Sequence, residues 1–128
     1  MKVLHTCFSQ SWGGMEMASL LTARLLVEAG IEVDMMCFPN SRLSDEAVKQ
    51  KLNVYTVNFK NQLSFGSIPK LMSLLRKNKY DLIHAEASKD LWLITAALRL
   101  TNTGIPLLLS KHVGSFIVKK DFLHRYIL

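Results

Sequence analysis

The chain has 128 residues, 49% of them apolar and 20% charged, with a formal net charge of +6. That is the composition of one globular domain with a real core, not of a disordered or disulfide-stapled chain. The charge suits anionic ligands such as nucleotide diphosphates or acidic lipids, but the basic residues form no dense patch and no nucleic-acid-binding motif occurs, so nucleic acid is not an expected partner.

The first run, "KVLHTCF" (2–8), reads as a strand. The opening "MKVLHTCF" has neither the h-region nor the cleavage site of a signal peptide, and no run of about eighteen apolar residues exists to span a membrane, so a cytoplasmic location is expected. Gly13 and Gly14 then lead into a helix over 14–29, where Ala18, Leu21, Thr22, Leu25 and Ala29 make an apolar stripe. Gly30 ends it. "IEVDMMCF" (31–38) is a second strand stopped by Pro39-Asn40. A short polar helix follows over 44–51, then a brief strand at 53–59.

A helix spans 67–79 with Pro69 in its first turn, where a missing N–H costs nothing. It carries Lys70, Arg76, Lys77 and Lys79 opposite Ile68, Leu71, Met72 and Leu75, a face suited to solvent or to an anionic membrane surface. "YDLIHA" (80–85) is a fourth strand, and 88–102 a helix with Ser88 as its cap and Asp90 in its first turn. "GIPLLLS" (104–110) is a fifth strand, apolar on both faces as buried parallel strands are. The loop "KHVGS" leads to an amphipathic end, "KKDFLHRYIL", whose unpartnered apolar side chains read as the end of a fragment and as a surface for self-association into a homodimer. Cys7 and Cys37, inside strands and without metal-ligand spacing, read as reduced buried thiols.

Strands alternating with helices define an α/β layered domain with a parallel sheet. In such a sheet ligands bind beyond the carboxyl ends of the strands, where strand order reverses. The loops "SQSWGG", "AEAS" and "KHVGS" leave three such ends. Gly13 and Gly14 open a helix whose free N–H groups and positive dipole end favour an anion, or they are plain turn residues. Neither a G-x-G-x-x-G fingerprint nor a P-loop is present. His84 and Glu86 alternate along a strand end and so face one side of the sheet; they suit acid/base or hydroxyl-orienting work, or His84 is a satisfied core histidine. His112, with Lys111 beside it, follows the fifth strand and can meet a sugar hydroxyl or phosphate oxygen, or simply bond backbone. A receiver-type phosphoryl-transfer site is excluded, because strand three ends in "NFKNQ" without an acidic residue.

The segments "SWGGMEMASLLTARLLVEAGIEVDMMC" and "YDLIHAEASKDLWLITAALRLTNTGIPLLLSKH" together resemble the N-terminal domain of GT-B glycosyltransferases of the fourth glycosyltransferase family. Members show Gly-Gly-x-Glu at the first helix, D-[IV]-[IV]-H-x-H, and P-x-[IV]-x-T-x-H. The resemblance implies a Rossmann-like three-layer domain over 1–128, the acceptor-side lobe of a GT-B fold, truncated and without its donor-binding domain. It implies retaining transfer from a nucleotide sugar to a glycolipid or polysaccharide acceptor, without a metal or other cofactor, at the cytoplasmic face of a membrane. By position, Gly13 and Gly14 meet the donor diphosphate, and His112 is the catalytic residue beside the transferred sugar. Glu16, His84, Glu86 and Lys111 become acceptor or sugar contacts, with Glu86 standing where many members have the second histidine of H-x-H. The family's Glu-x7-Glu pair is absent from these residues. The rival reading is a non-catalytic α/β binding module or pseudo-transferase subunit using the same crevice.

Overall fold

The computed structural model describes residues 1–58, 67–86 and 90–110. Five strands run β1 (Lys2–Cys7), β2 (Glu32–Cys37), β3 (Asn53–Thr56), β4 (Leu82–Ala85) and β5 (Leu107–Leu109). Four helices connect them: α1 (Gly14–Glu28), α2 (Arg42–Lys49), α3 (Ser67–Lys77) and α4 (Leu91–Thr101). The strands form one sheet in the order β3-β2-β1-β4-β5, with every pair parallel. This is the Rossmann order, and its reversal falls between β1 and β4.

Alternation along the strands sorts side chains to two helical layers. Cys7, Val33, Met35 and Cys37 pack with Leu20, Ala23, Leu43 and Ala47 under α1 and α2. Leu4, Phe8, Met36 and Ile83 pack with Leu71, Leu75, Leu93, Ile94 and Ala97 under α3 and α4. Among the described residues no helix is long and apolar enough to cross a membrane.

Local signals explain the element ends. Gly30 takes φ 89°, a left-handed conformation glycine adopts without Cβ strain, while its N–H bonds Val27 O and the Ile31 N–H bonds Leu26 O. Helix α2 begins two residues earlier than its polar pattern predicts, because the Ser41 hydroxyl accepts the Ser44 N–H at 3.1 Å and caps it. In α4, Asp90 stands just ahead of the helix and its carboxylate accepts the Phe8 N–H at 3.2 Å, tying the helix start to the end of β1. The predicted cap Ser88 lies outside the described residues.

Two expectations are corrected. The stripe read into α1 is not its buried face: Leu21 and Leu25 are 46% and 51% exposed and Ala29 is exposed, while Glu16, Ser19, Leu20 and Ala23 are buried. The helix meets the sheet with Glu16, Ser19, Leu20 and Ala23, so Leu21 and Leu25 do not mark its core side. Strand β5 is not apolar-buried on both faces either. Leu107 is buried but Leu108 is 47% exposed, as on a strand at the sheet edge.

Candidate functional site

The switch point between β1 and β4 gathers most of the described polar groups singled out in the sequence. The loop after β1 delivers Gly13 and Gly14 to the start of α1. Gly13 is the N-cap and Gly14 the first helical residue. Neither has a positive φ. A Cβ on Gly13 meets Glu16 Oε2 at an ordinary 3.6 Å, and one on Gly14 meets nothing within 4 Å. Neither internal packing nor backbone conformation therefore demands glycine here. The N–H groups of Gly14 and Met15 belong to the first turn, which has no intrahelical acceptor to offer them.

Glu16 lies within the helix start. Its Oε2 accepts the Gly13 N–H at 3.0 Å and its Oε1 accepts the Ser9 hydroxyl. This is half a capping box, since glycine has no side chain to return the bond. At 4% exposure, the carboxylate is committed to its own helix. Trp12, just ahead of the glycines, carries the Arg42 guanidinium over its ring at 4.8 Å. This cation–π contact places a positive charge beside the loop. Arg42 went unnoticed in the sequence because it sits in a different βα unit.

His84 and Glu86 do face the same side, and both are buried. Their shared partner is His5, which the sequence reading passed over. His5 Nε2 lies 3.0 Å from Glu86 Oε1 and 2.7 Å from the Ser19 hydroxyl of α1. His84 Nε2 lies 3.6 Å from the same Glu86 oxygen and 2.5 Å from the Ser110 hydroxyl just past β5. The two imidazoles meet edge to face with centroids 4.6 Å apart. With Nε2 carrying the proton, His5 donates to the carboxylate; with the proton on Nδ1, lone pair would face anion. The available signal was a histidine inside the strand "KVLHTC", which the register then sets opposite His84.

Cys7 and Cys37, paired in register on β1 and β2, are free and buried. Burial pushes the Cys7 thiol up to about 12, with the Asp90 and Glu16 carboxylates adding to the shift. Burial likewise pushes Cys37 to about 11. Such thiols are poor nucleophiles. His112 and Lys111 lie outside the described residues.

An all-parallel sheet in the order β3-β2-β1-β4-β5, with a glycine-opened helix and the buried His5, His84 and Glu86 at its switch point, defines a Rossmann-like α/β domain. The chain belongs to Glycosyltransferase Family 4, whose sequence profile matches residues 12–127. Its fold is that of GT-B glycosyltransferase N-terminal domains. A glycosyltransferase from Rickettsia africae aligns with a TM-score of 0.76 at 19% identity, covering 98% of this chain and 33% of that one. MurG from Acinetobacter baumannii aligns with a TM-score of 0.67 at 18% identity, covering 84% and 34%. HepE from Anabaena, solved with UDP and glucose, aligns at 0.66 and 20% identity, covering 85% and 29%. The chain thus spans about a third of the length of these structures. Among curated proteins, none matches it in sequence.

Proposed function

We propose that this chain is the acceptor-side lobe of a retaining glycosyltransferase that moves a hexose from a nucleotide sugar to a glycolipid or polysaccharide acceptor, without a metal, at the inner face of a membrane. The observation that carries the reading is the glycine pair. Gly13 and Gly14 open a helix N-terminus, a place whose free N–H groups suit an anion, and nothing among the described residues requires them to lack side chains. In this reading the Gly14 and Met15 N–H groups stabilise the departing diphosphate, a preorganised electrostatic contribution. Arg42, stacked on Trp12, adds a cation beside them. His112 positions the transferred sugar, and Lys111 contacts sugar or acceptor. Glu16, His84 and Glu86 act from beneath the crevice: Glu16 braces the glycine turn, and His84 with Glu86 braces its floor.

Support comes from the family membership and from what related structures are described as holding or doing. HepE has been solved with UDP and with UDP-glucose. WaaB is a lipopolysaccharide outer core galactosyltransferase, with a TM-score of 0.63 and 14% identity. The exposed cations Arg76 and Lys77 on α3 suit an anionic lipid surface. The nucleotide is held mainly by a second lobe in this reading, so these residues alone are inactive.

The test is transfer from a panel of UDP- and GDP-sugars by the full-length protein, compared with Gly14→Val. The added Cβ meets nothing within 4 Å, so folding should survive while turnover falls on the order of a hundredfold. Unchanged turnover would remove the glycines from the mechanism, and near-normal turnover in His112→Ala would remove that residue. Absence of both binding and turnover across the panel would favour the non-catalytic module.

A further inference from the structure

His5, His84 and Glu86, all buried, each offer one atom of metal-ligand type within 4.8 Å of the others, at the switch point between β1 and β4. We propose that His5, His84 and Glu86 form a binding site for a borderline divalent cation, with Zn2+ the best match and Co2+ its spectroscopic substitute.

The spacing supports this. Four ligands arranged tetrahedrally at the usual zinc distances stand about 3.3 Å from one another. The two histidine nitrogens lie 3.0 and 3.6 Å from the shared carboxylate oxygen, one on each side of that value. The donor set of two imidazoles and a carboxylate suits zinc or cobalt and not magnesium or calcium, which favour all-oxygen shells. The backbone supports it as well. His5 and His84 are register partners on adjacent central strands, and Glu86, two residues past His84, is fixed by its N–H bond to Thr6 O at 3.0 Å. Ligands on such a frame need little movement to close on an ion. The Ser19 and Ser110 hydroxyls, each beside one of the two nitrogens, supply an oxygen for the fourth position or leave it to water.

The same geometry limits the strength. Both Nε2 atoms are engaged by serine hydroxyls, which compete with the ion. Ligation through Nε2 also moves the His5 proton to Nδ1, a buried atom with no hydrogen-bond partner among the described residues. Affinity is therefore expected on the order of micromolar, below that of dedicated zinc sites. An ion here pins Glu86 and both imidazoles together at the switch point, a role separate from transfer chemistry. The proposal does not depend on transfer activity.

The experiment titrates Co2+ into the tag-free full-length protein, following visible ligand-field absorption, and then adds Zn2+ in competition. One equivalent of Co2+ should develop the bands of a four- or five-coordinate ion, and Zn2+ should abolish them. Glu86→Gln, nearly isosteric, should weaken binding on the order of tenfold or more, as should His84→Gln. Circular dichroism confirms that each variant is folded. No saturable Co2+ binding to the native protein below about 100 μM would overturn the proposal, as would unchanged affinity in both folded variants.

Discussion

His5 of β1 and Glu86 beyond β4 form a buried pair at 3.0 Å, joining the two strands that flank the switch point. His5 is completely buried and Glu86 only 2% exposed, so the carboxylate relies on protein donors in place of water. Removing one member takes a close buried partner from the other. His5→Phe should cost about 2 kcal/mol of stability or more. The double replacement His5→Phe with Glu86→Leu should cost less than the sum of the two single changes. Urea unfolding of the four proteins measures the coupling. Strict additivity would mean that the pair is not a unit.

The buried face of α1 gives a second expectation. Ala23 is fully buried against the sheet, whereas Leu25, half exposed, lies on the opposite side. Ala23→Leu should therefore destabilise by about 1–3 kcal/mol through overpacking, while Leu25→Lys should stay within about 0.5 kcal/mol. Thermal melts of the two variants check this, and the reverse ranking would mean that the helix is rotated about its axis.

The same helix illustrates what the sequence made legible. Strands β1, β2 and β4 stood out because each is a short apolar run, and Gly30 and Pro39 punctuate two of the connections between them. Those marks are local, so they survive without tertiary information. Periodicity alone does not fix the burial face of α1, where Ser19, Leu20 and Ala23 are buried while Leu21 and Leu25 stay exposed. His84 and Glu86 were legible as a same-side pair from strand alternation alone. Their partner His5 lies at the far end of the chain, and only the β1–β4 register brings it to them. The resemblance makes Glu16 an acceptor or sugar contact; in the structure its buried carboxylate bonds the Gly13 N–H at the helix start. Which chemical group a buried carboxylate faces is decided by packing, and packing is not periodic.

The paired thiols lead to a prediction in alkali. Cys7 and Cys37 both ionise well above the ordinary 9.0 in the folded chain, near 12 and 11, chiefly because burial penalises the thiolate. In the unfolded chain they ionise near the ordinary value. Above pH 9 the unfolded state therefore binds fewer protons than the folded one, and stability falls as pH rises. Well below pH 9, at about pH 8 and under, both states are largely protonated and the two thiols contribute little pH dependence. Each thiol adds a slope approaching about 1.4 kcal/mol per pH unit, so together they remove up to about 2.7 kcal/mol per unit between roughly pH 9 and 11. Tyr80, whose hydroxyl bonds Asp34 at 2.5 Å and whose ionisation is also pushed up by burial, adds to the loss above about pH 10. Denaturant unfolding at intervals from pH 7.5 to 10 should show a flat region followed by a decline. In Cys7→Ala with Cys37→Ala the decline just above pH 9 should largely disappear, even though the double variant starts from lower stability because of the cavities it opens. Equal slopes in the two proteins over that interval would mean that the thiols ionise as freely in the folded chain as in the unfolded one.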